Sequence, residues 1–251
     1  MRRMWIAVIA AAACLTALAG TASALVGGSP DGGAHPYVGM AIWFPDGNPA
    51  DGFELCSGSL LSPTVFVTAA HCFPSGAQVL VSTSEQALAA LHASLGNGTP
   101  GVVTDDPGFQ YVGNGLKSDR SDVAVVQLAG PISSPRYAAL PPVGYSDSLP
   151  NDQAVDNVGY GIQDAKAQTG FGVRQLAHQR VVGNASSKGG FLKISSGTTC
   201  FGDSGGPNLQ AGTDLVLAVN GYGASATCNA TSYSQRLDTA EAHAFVASFL
   251  P

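Results

Sequence analysis

The chain carries little charge, and basic residues are the scarcer kind. Charged residues make up 11% of it, with 11 Lys and Arg against 17 Asp and Glu, for a formal net charge of −6. A protein that binds nucleic acid through its phosphates needs a basic surface. This charge balance therefore argues against a nucleic-acid partner.

Long apolar runs are also scarce, and the one that stands out lies at the N-terminus. Arg2 and Arg3 precede an apolar run that is too short to span a bilayer comfortably and that leads to an Ala-x-Ala site ending at Ala24. We predict that residues 1–24 are a signal peptide, with an N-terminal membrane anchor as the alternative. The mature protein would be secreted and free of membrane, and its formal charge falls from −6 to −8 because the leader carries two Arg and no acid.

Cysteines are few, and their number is informative. Cys14 lies in the leader, which leaves Cys56, Cys72, Cys200 and Cys228. An even number in an exported chain favours two disulfides, for which three pairings exist. Separations of 16 and 28 residues favour local pairing of the first two and of the last two. Metal binding is the alternative, but no Cys-x-x-Cys or His-x-x-x-His spacing occurs, so we expect no metal and no cofactor.

The rest of the sequence favours β-structure. Short apolar or alternating runs are separated by clusters of Gly, Pro, Asn, Asp and Ser, which is typical of strands and turns. Two helices are predicted, at Ser84–His92 and near the C-terminus, where Asp238 and Glu241 have capping-box spacing. Residues 130–143 contain four prolines and indicate a linker. The fold class is therefore all-β, with two barrels or sandwiches. The predicted strands are Tyr37–Phe44, Val65–Thr68, Gln78–Val81, Val123–Leu128, Val155–Tyr160 and Leu215–Val219.

The most informative segment is Cys-Phe-Gly-Asp-Ser-Gly-Gly-Pro at residues 200–207. Gly205 and Gly206 lack side chains, so another molecule's backbone could approach Ser204 closely. The main-chain N–H groups of Gly202 and Ser204 are two residues apart and could converge on one anionic oxygen. This pattern predicts an acyl-transfer nucleophile with an oxyanion hole. The alternative is a glycine-rich surface turn.

A serine nucleophile needs a base, and the base needs a carboxylate. His71 directly follows a predicted strand and stands beside Cys72, where a disulfide would fix the backbone that carries the imidazole. Asp122 opens an apolar run, a costly position for an acid that has no partner. Asp119 is the competing acid, in a more polar stretch. The remaining histidines, interpreted as surface or core residues, are His35, His92, His178 and His243.

These motifs together resemble those of the trypsin-like (chymotrypsin-fold) serine proteases, in the order His, Asp, Ser. The resemblance implies two six-stranded antiparallel β-barrels with a C-terminal helix and an active site in the cleft between the barrels. The N-terminal barrel would occupy residues 25–135, and the C-terminal barrel with its helix residues 136–251. The matching segments are Cys56–Pro63, Thr68–Cys72, Asp122–Val125, Gly159–Gly161 and Gly202–Pro207.

The resemblance also implies a role for each site residue. Ser204 would be the nucleophile, His71 the general base and then acid, and Asp122 its orienting partner. The N–H groups of Gly202 and Ser204 would form the oxyanion hole. The expected partners are a peptide or protein substrate and proteinaceous inhibitors, and the expected state is a monomer. Low Lys with abundant Ala and Gly favours a bacterial exoprotein.

The predicted new N-terminus carries a further implication. Cleavage after Ala24 gives Leu25-Val-Gly-Gly, which resembles the Ile-Val-Gly-Gly start of activated family members. In those enzymes the freed α-amino group pairs with the acid beside the serine, here Asp203. We therefore predict an activation pair of Leu25 and Asp203 and a protein that is active without a pro-segment. Chance similarity in a small-residue region is the alternative.

The specificity residues depart from the family pattern. The family position at the base of the primary pocket, where Asp selects Lys or Arg, holds Thr198 here. Asn220, Gly221 and Tyr222 stand where the family has Ser-Trp-Gly, and Thr231 stands where it often has Gly. The resemblance thus implies no preference for basic residues and a small, polar or moderately apolar side chain in the pocket.

Two other functions fit parts of the sequence. The altered substrate wall would suit a catalytically silent binding or adhesion module on the same fold. The Gly-x-Ser-x-Gly pattern around Ser204 also fits the nucleophile elbow of a secreted α/β-hydrolase esterase, with Asp214 or Asp238 and His243 completing its triad. Only 47 residues follow Ser204, which is short for that fold.

Overall fold

The computed structural model describes residues 25–109, 121–185, 190–195, 197–223, 225 and 227–251. The predicted signal peptide and Asp119 lie outside these residues. In chain order the described strands are β1 Ser29–Pro30, β2 Val38–Trp43, β3 Glu54–Ser62, β4 Val65–Thr68, β5 Gln78–Ser82, β6 Thr99–Asp105, β7 Ala124–Leu128, β8 Ala154–Gly159, β9 Gln175–Ala185, β10 Phe191–Ile194, β11 Pro207–Gln210, β12 Val216–Gly223 and β13 Ser232–Arg236. The helices are α1 Ala87–Ala93 and α2 Ala240–Ala247.

The first barrel consists of six antiparallel strands in the closed order β2-β3-β4-β7-β6-β5. Its strands are rich in β-branched and aromatic residues, which pack well on a pleated surface. All four residues of β4 are buried, including Phe66 with no exposed surface. Closure pairs every strand on both edges, so the barrel leaves no free edge.

The second barrel has the order β9-β10-β13-β12-β11-β8 and closes through pairing of β8 with β9. The short strand β1 adds to β9, so the N-terminal segment lies on this barrel. A small apolar cluster that includes Val155, Leu192 and Leu217 fills part of its interior. This barrel also buries polar side chains, among them the amides of Asn157 and Asn208.

The predicted fold class is confirmed, since the described residues form two closed six-stranded antiparallel barrels and a short C-terminal helix. The α/β-hydrolase alternative is wrong, because that fold needs an open, largely parallel sheet flanked by helices. The domain boundary near residue 135 stays a prediction. Within the described residues, neither helix has the length and apolar character needed to cross a bilayer.

The start of helix α2 differs from the prediction by one residue. Thr239 is the N-cap, and its hydroxyl accepts a hydrogen bond from the N–H of Ala242 at 3.2 Å. Asp238 instead forms a bidentate ion pair with Arg236, at 2.7 and 2.8 Å. The predicted capping box of Asp238 and Glu241 is therefore wrong, because a buried carboxylate gains more from a guanidinium than from capping.

Both predicted disulfides are present. Cys56 on β3 is bonded to Cys72, with their Cα atoms 6.2 Å apart. Cys200 is bonded to Cys228, with their Cα atoms 5.1 Å apart. The first ties the turn that carries His71 to the first barrel, and the second ties the start of the serine loop to the segment that precedes β13.

Candidate active site

The pairing of two strands brings His71 and Asp122 together. Thr68 at the end of β4 pairs with Ala124 at the start of β7. Because the strands are antiparallel, the residues just after β4 meet those just before β7. His71 lies on the following 3₁₀ turn, and its Nδ1 is 2.8 Å from Asp122 Oδ2. The main-chain N–H of His71 donates to Asp122 Oδ1 at 2.9 Å, so one carboxylate holds both the ring and the backbone.

The electrostatics of this pair suit a base. Burial alone would lower the pKa of His71, but the charge of Asp122 and its hydrogen bond outweigh burial and raise it above the usual 6.5. Since Nδ1 faces Asp122, Nε2 is left for the cavity. Asp105, at the end of β6, has its pKa raised to about 6, first by burial and then by the charge of Asp122. Sequence reasoning missed Asp105, which has no motif around it.

The serine loop, residues 200–206, depends on glycine. Gly205 has φ +76°, and a Cβ there would lie 2.5 Å from the carbonyl oxygen of Ser57 and closer still to the hydroxyl of Thr68. Only glycine fits such an approach with this backbone conformation. The expectation that Gly205 leaves space for another molecule is therefore wrong, because that space is filled by strands β3 and β4.

Ser57 on β3 anchors the loop to the first barrel. Its N–H donates to the carbonyl of Ser204, and its hydroxyl donates to the carbonyl of Gly202, both at 2.8 Å. The same hydroxyl accepts from the N–H of Tyr160 at 2.9 Å. Ser57 is fully buried. Sequence reasoning missed this residue, and its place directly after Cys56 was the only available signal.

The N–H groups predicted to form the oxyanion hole make no hydrogen bond within the described chain. Neither the N–H of Gly202 nor that of Ser204 donates to any described residue. The carbonyl of Phe201 accepts from Ile162 N at 2.9 Å, which fixes the peptide that carries the Gly202 N–H. Two N–H groups that lack an internal partner beside a serine are suited to binding an oxyanion.

Ser204, His71 and Asp122 line one cavity of about 460 Å³ between the barrels. The described structure forms no hydrogen bond between the Ser204 hydroxyl and the His71 ring. Such contacts are often long in unliganded enzymes and tighten when substrate binds. The arrangement thus brings the three predicted residues to one cavity, with the His–Asp pair already formed.

Asp203 is buried below this loop. Its carboxylate accepts hydrogen bonds from Gly161 N at 2.9 Å and Cys200 N at 3.0 Å. Burial raises its pKa to about 7, although the two hydrogen bonds oppose the rise. Among the described residues Asp203 has no ion-pair partner. An uncompensated buried carboxylate is a place where a cation would be strongly bound.

The N-terminal segment lies beside this carboxylate. Leu25 is fully buried, and Val26 N donates to the carbonyl of Thr198 at 3.0 Å. Val26 packs with Ile162 and the disulfide of Cys200. Cys200 carries one of the two N–H groups that donate to Asp203, and Ile162 directly follows Gly161, which carries the other. The N-terminal segment and the predicted acid partner are therefore neighbours.

The substrate wall differs in part from the prediction. The lining residues are Thr199 and Ser232, whereas the predicted Thr198 and Thr231 are their chain neighbours and do not line the cavity. The hydroxyl oxygens of Thr198, Thr199 and Ser232 are buried without a hydrogen-bond partner in the described residues. At the start of β13, adjacent side chains point to opposite sides of the sheet, which explains why Ser232 rather than Thr231 faces the cavity.

Gly221 and Tyr222, which the sequence predicted to form the substrate wall, do line the cavity. Tyr222 stacks on Tyr233, with ring centroids 5.0 Å apart. Phe171 and Phe201 stand at the cavity with 36% and 46% of their surface exposed. The cavity therefore combines buried hydroxyls with accessible aromatic rings.

Asn220 also lines the cavity, but its side chain is engaged elsewhere. It is 1% exposed and hydrogen-bonds to Asn157, Asn208 and the carbonyl of Asp203. Its side chain thus faces the inside of the second barrel.

Comparison with known proteins places the chain in a family. The family model described as Trypsin matches residues 26–241. The chain belongs to the trypsin family. It is 28% identical over 187 residues to trypsin alpha of Drosophila erecta, which covers 68% of this chain and 70% of that protein. It is also 28% identical over 196 residues to brachyurin of Leptuca pugilator, with 72% and 80% coverage.

Solved structures support the fold of this trypsin-family chain. The atomic-resolution structure of HBP superposes with a TM-score of 0.67 at 15% identity, covering 90% of this chain and 96% of that one. Human heparin binding protein gives 0.66 at 15% identity, covering 90% and 98%. At this identity the likeness concerns the fold alone. The family resemblance predicted from the motifs is confirmed.

Proposed function

We propose that this trypsin-family protein is a secreted serine endopeptidase that works through Ser204, His71 and Asp122. The observation that carries the proposal is the His71–Asp122 pair, at 2.8 Å, on the same cavity as Ser204, where the N–H groups of Gly202 and Ser204 donate to no described residue. The leader sequence and the two disulfides support secretion.

The reaction follows from these positions. Ser204 Oγ attacks the carbonyl carbon of the substrate, and its proton passes to Nε2 of His71. The tetrahedral oxyanion accepts hydrogen bonds from Gly202 N–H and Ser204 N–H. The C–N bond breaks as His71 gives the proton to the leaving amine, which leaves an acyl-enzyme. Water then attacks that ester with His71 as base, the C–O bond to the serine breaks, and the hydroxyl regains its proton.

The residues that line the cavity support a preference for substrate side chains that are not basic. Of the residues that line it, the acids are Glu54 and Asp122, both on the first barrel. The second-barrel wall carries the hydroxyls of Thr199 and Ser232 and the ring of Tyr222. Several relatives are named trypsins, but a cationic side chain needs a facing carboxylate, and that wall has none among its described residues.

A peptide-library cleavage profile tests this preference. We expect small, polar or moderately apolar residues before the scissile bond and at least tenfold slower cleavage after Lys or Arg, because a buried cation without a partner loses several kcal/mol. Thr199→Asp is the matched variant, and it should raise cleavage after basic residues, because Thr199 lines the cavity and the new carboxylate would face the substrate side chain. Dominant cleavage after Lys or Arg by the wild type would contradict the preference.

A binding module without catalysis is the second candidate. The altered substrate wall favours it, and one structural relative is named for binding heparin. Heparin is a polyanion, however, and a chain with net charge −6 would repel it. The intact Ser204, His71 and Asp122 arrangement favours the enzyme.

Labelling with a fluorophosphonate probe separates the two candidates. We expect covalent labelling of the wild type at Ser204 and none of Ser204→Ala, because the probe reports an activated serine. Ser57→Ala is unsuited as a control, because Ser57 holds the serine loop. Ser248 is exposed at the end of α2, and Ser248→Ala should be labelled like the wild type. Absence of wild-type labelling, or equal labelling of Ser204→Ala, would defeat the protease proposal.

A further inference from the structure

We propose that Asn220 is a positioning residue that aims the N–H of Ser204 into the oxyanion hole. This inference rests on the proposed function. The juxtaposition behind it is a buried side-chain cluster of the second barrel, called here the asparagine network and defined as Asn157, Asn208, Asn220 and Ser234. None of these side chains is more than 1% exposed.

Asn220 holds the serine loop on both sides of the nucleophile. Its main-chain N–H donates to the carbonyl of Gly206, and its carbonyl accepts from the N–H of Gly205, both at 2.8 Å. Its side-chain Nδ2 donates to the carbonyl of Asp203 at 3.0 Å. These three contacts enclose Ser204, which itself makes none with Asn220.

The contact to Asp203 bears directly on the oxyanion donor. The carbonyl of Asp203 and the N–H of Ser204 belong to one planar trans peptide, so they point in opposite directions. Holding the carbonyl inward at Asn220 therefore turns the N–H of Ser204 outward, away from Asn220. That N–H donates to no described residue. The carbonyl also accepts from Gly206 N at 3.0 Å, so the side chain of Asn220 completes its second acceptor position.

The asparagine network fixes the side chain of Asn220. Its Oδ1 accepts from Nδ2 of Asn157 and from Nδ2 of Asn208, both at 2.8 Å. Asn208 also donates to the hydroxyl of Ser234 at 3.0 Å. With two donors on Oδ1, the amide must present its Nδ2 to the loop. A satisfied network in a low-dielectric interior is rigid, which suits a group that must hold a dipole in place.

Asn220→Asp and Asn220→Ala test the proposal. We expect each to lower kcat by about 10- to 100-fold, part of the loss seen when an oxyanion donor is removed, with KM little changed. The introduced carboxyl of Asn220→Asp can donate to Asp203 only when protonated. The ratio of its kcat to that of the wild type should therefore rise as pH falls, while the ratio for Asn220→Ala should stay flat.

Rates are taken per active site titrated with the fluorophosphonate, below the unfolding temperature of each variant. The matched control is Gln179→Ala, which removes a buried amide of β9 that donates to the carbonyl of Ser195 at 2.8 Å. It should lower stability and leave kcat per site unchanged. If neither Asn220 variant folds, Asn208→Ser removes one donor to Oδ1 and should lower kcat per site about threefold to tenfold.

The outcomes are distinct. Wild-type kcat per site in a folded Asn220 variant, or in Asn208→Ser when neither Asn220 variant folds, overturns the positioning role and leaves the protease proposal standing. A pH-independent ratio for Asn220→Asp also overturns it. A wild type that does not react with the fluorophosphonate removes both proposals together.

Discussion

Ser204→Ala and His71→Ala are each expected to lower kcat by about 10⁶-fold, and the double variant should lose no more than either one. The two side chains act as a unit in the attack on the carbonyl, so their effects do not add. A residual rate well above that of water should remain, because the N–H groups of Gly202 and Ser204 still bind the oxyanion. Steady-state hydrolysis of a peptide ester or amide, with single-turnover checks, measures both losses.

Asp122→Asn should lower kcat by about 10⁴-fold and change the pH profile. The neutral imidazole is the base, so kcat/KM falls as pH drops through the pKa of His71, which Asp122 raises above 6.5. Without the carboxylate only burial remains, and the acid limb should move to lower pH. An unmoved limb would contradict the assignment of Asp122.

The surface offers a matched control for this pair. His178 Nδ1 lies 2.7 Å from Asp156 Oδ1, a similar geometry on an imidazole whose side chain is 78% exposed. His178→Ala should leave kcat and the pH profile within twofold of the wild type. A large effect there would show that loss of any His–Asp pair disturbs the barrel.

The second large effect is expected at the N-terminus. A short extension ahead of Leu25 should lower kcat/KM at pH 8 by about 10²-fold or more relative to the form that begins at Leu25. The free α-ammonium can pair with buried Asp203, and breaking a buried pair costs about 3–5 kcal/mol. Activity of the two purified forms, with Edman sequencing of their termini, measures the difference.

The pH dependence of the two forms follows from the sign of each pKa shift. Without an ammonium, burial raises the pKa of Asp203 to about 7. This contribution to stability is complete below the ordinary carboxyl pKa of about 4 and is lost as pH rises through 7. With the free terminus, the pair raises the amine pKa above about 8, so its contribution is complete below that value and fades only as pH rises through the higher pKa. The extended form should therefore decline near pH 7 and the free form at more alkaline pH.

Asp203→Asn serves as the control for that pairing. The neutral amide keeps the size of the side chain but has no charge to pair with an ammonium. Extended and free forms of this variant should then differ by less than threefold. A difference as large as in the wild type would place the effect of the extension elsewhere, for instance in the pairing of β1 with β9.

The sequence alone predicted the strands and site residues whose pattern lies within a few consecutive positions. The strands β4 and β7 carry runs of Val and Phe, and both were predicted within one residue of their observed bounds. The motifs around His71, Asp122 and Ser204 predicted three residues that the structure brings to one cavity. Their catalytic roles stay predictions until the variants are measured.

Other strands escaped prediction because their sequences are polar. β9 reads Gln-Leu-Ala-His-Gln-Arg-Val-Val-Gly-Asn-Ala, and β13 reads Ser-Tyr-Ser-Gln-Arg. Their buried positions hold amides and hydroxyls, such as Gln179 and Ser234, that find partners inside the second barrel. Apolar periodicity cannot reveal a strand whose buried face is hydrogen-bonded.

The octapeptide around Ser204 shows where sequence alone was enough and where it was not. Its residue types determined a tight glycine turn with a nucleophile, because those chemical requirements lie within eight consecutive positions. Only the tertiary structure decided what the turn packs against: Ser57 across 147 positions of sequence and Asn220 sixteen positions onward. These contacts form because strand pairing and barrel closure bring distant segments together, so the spacing of residues along the chain does not predict them.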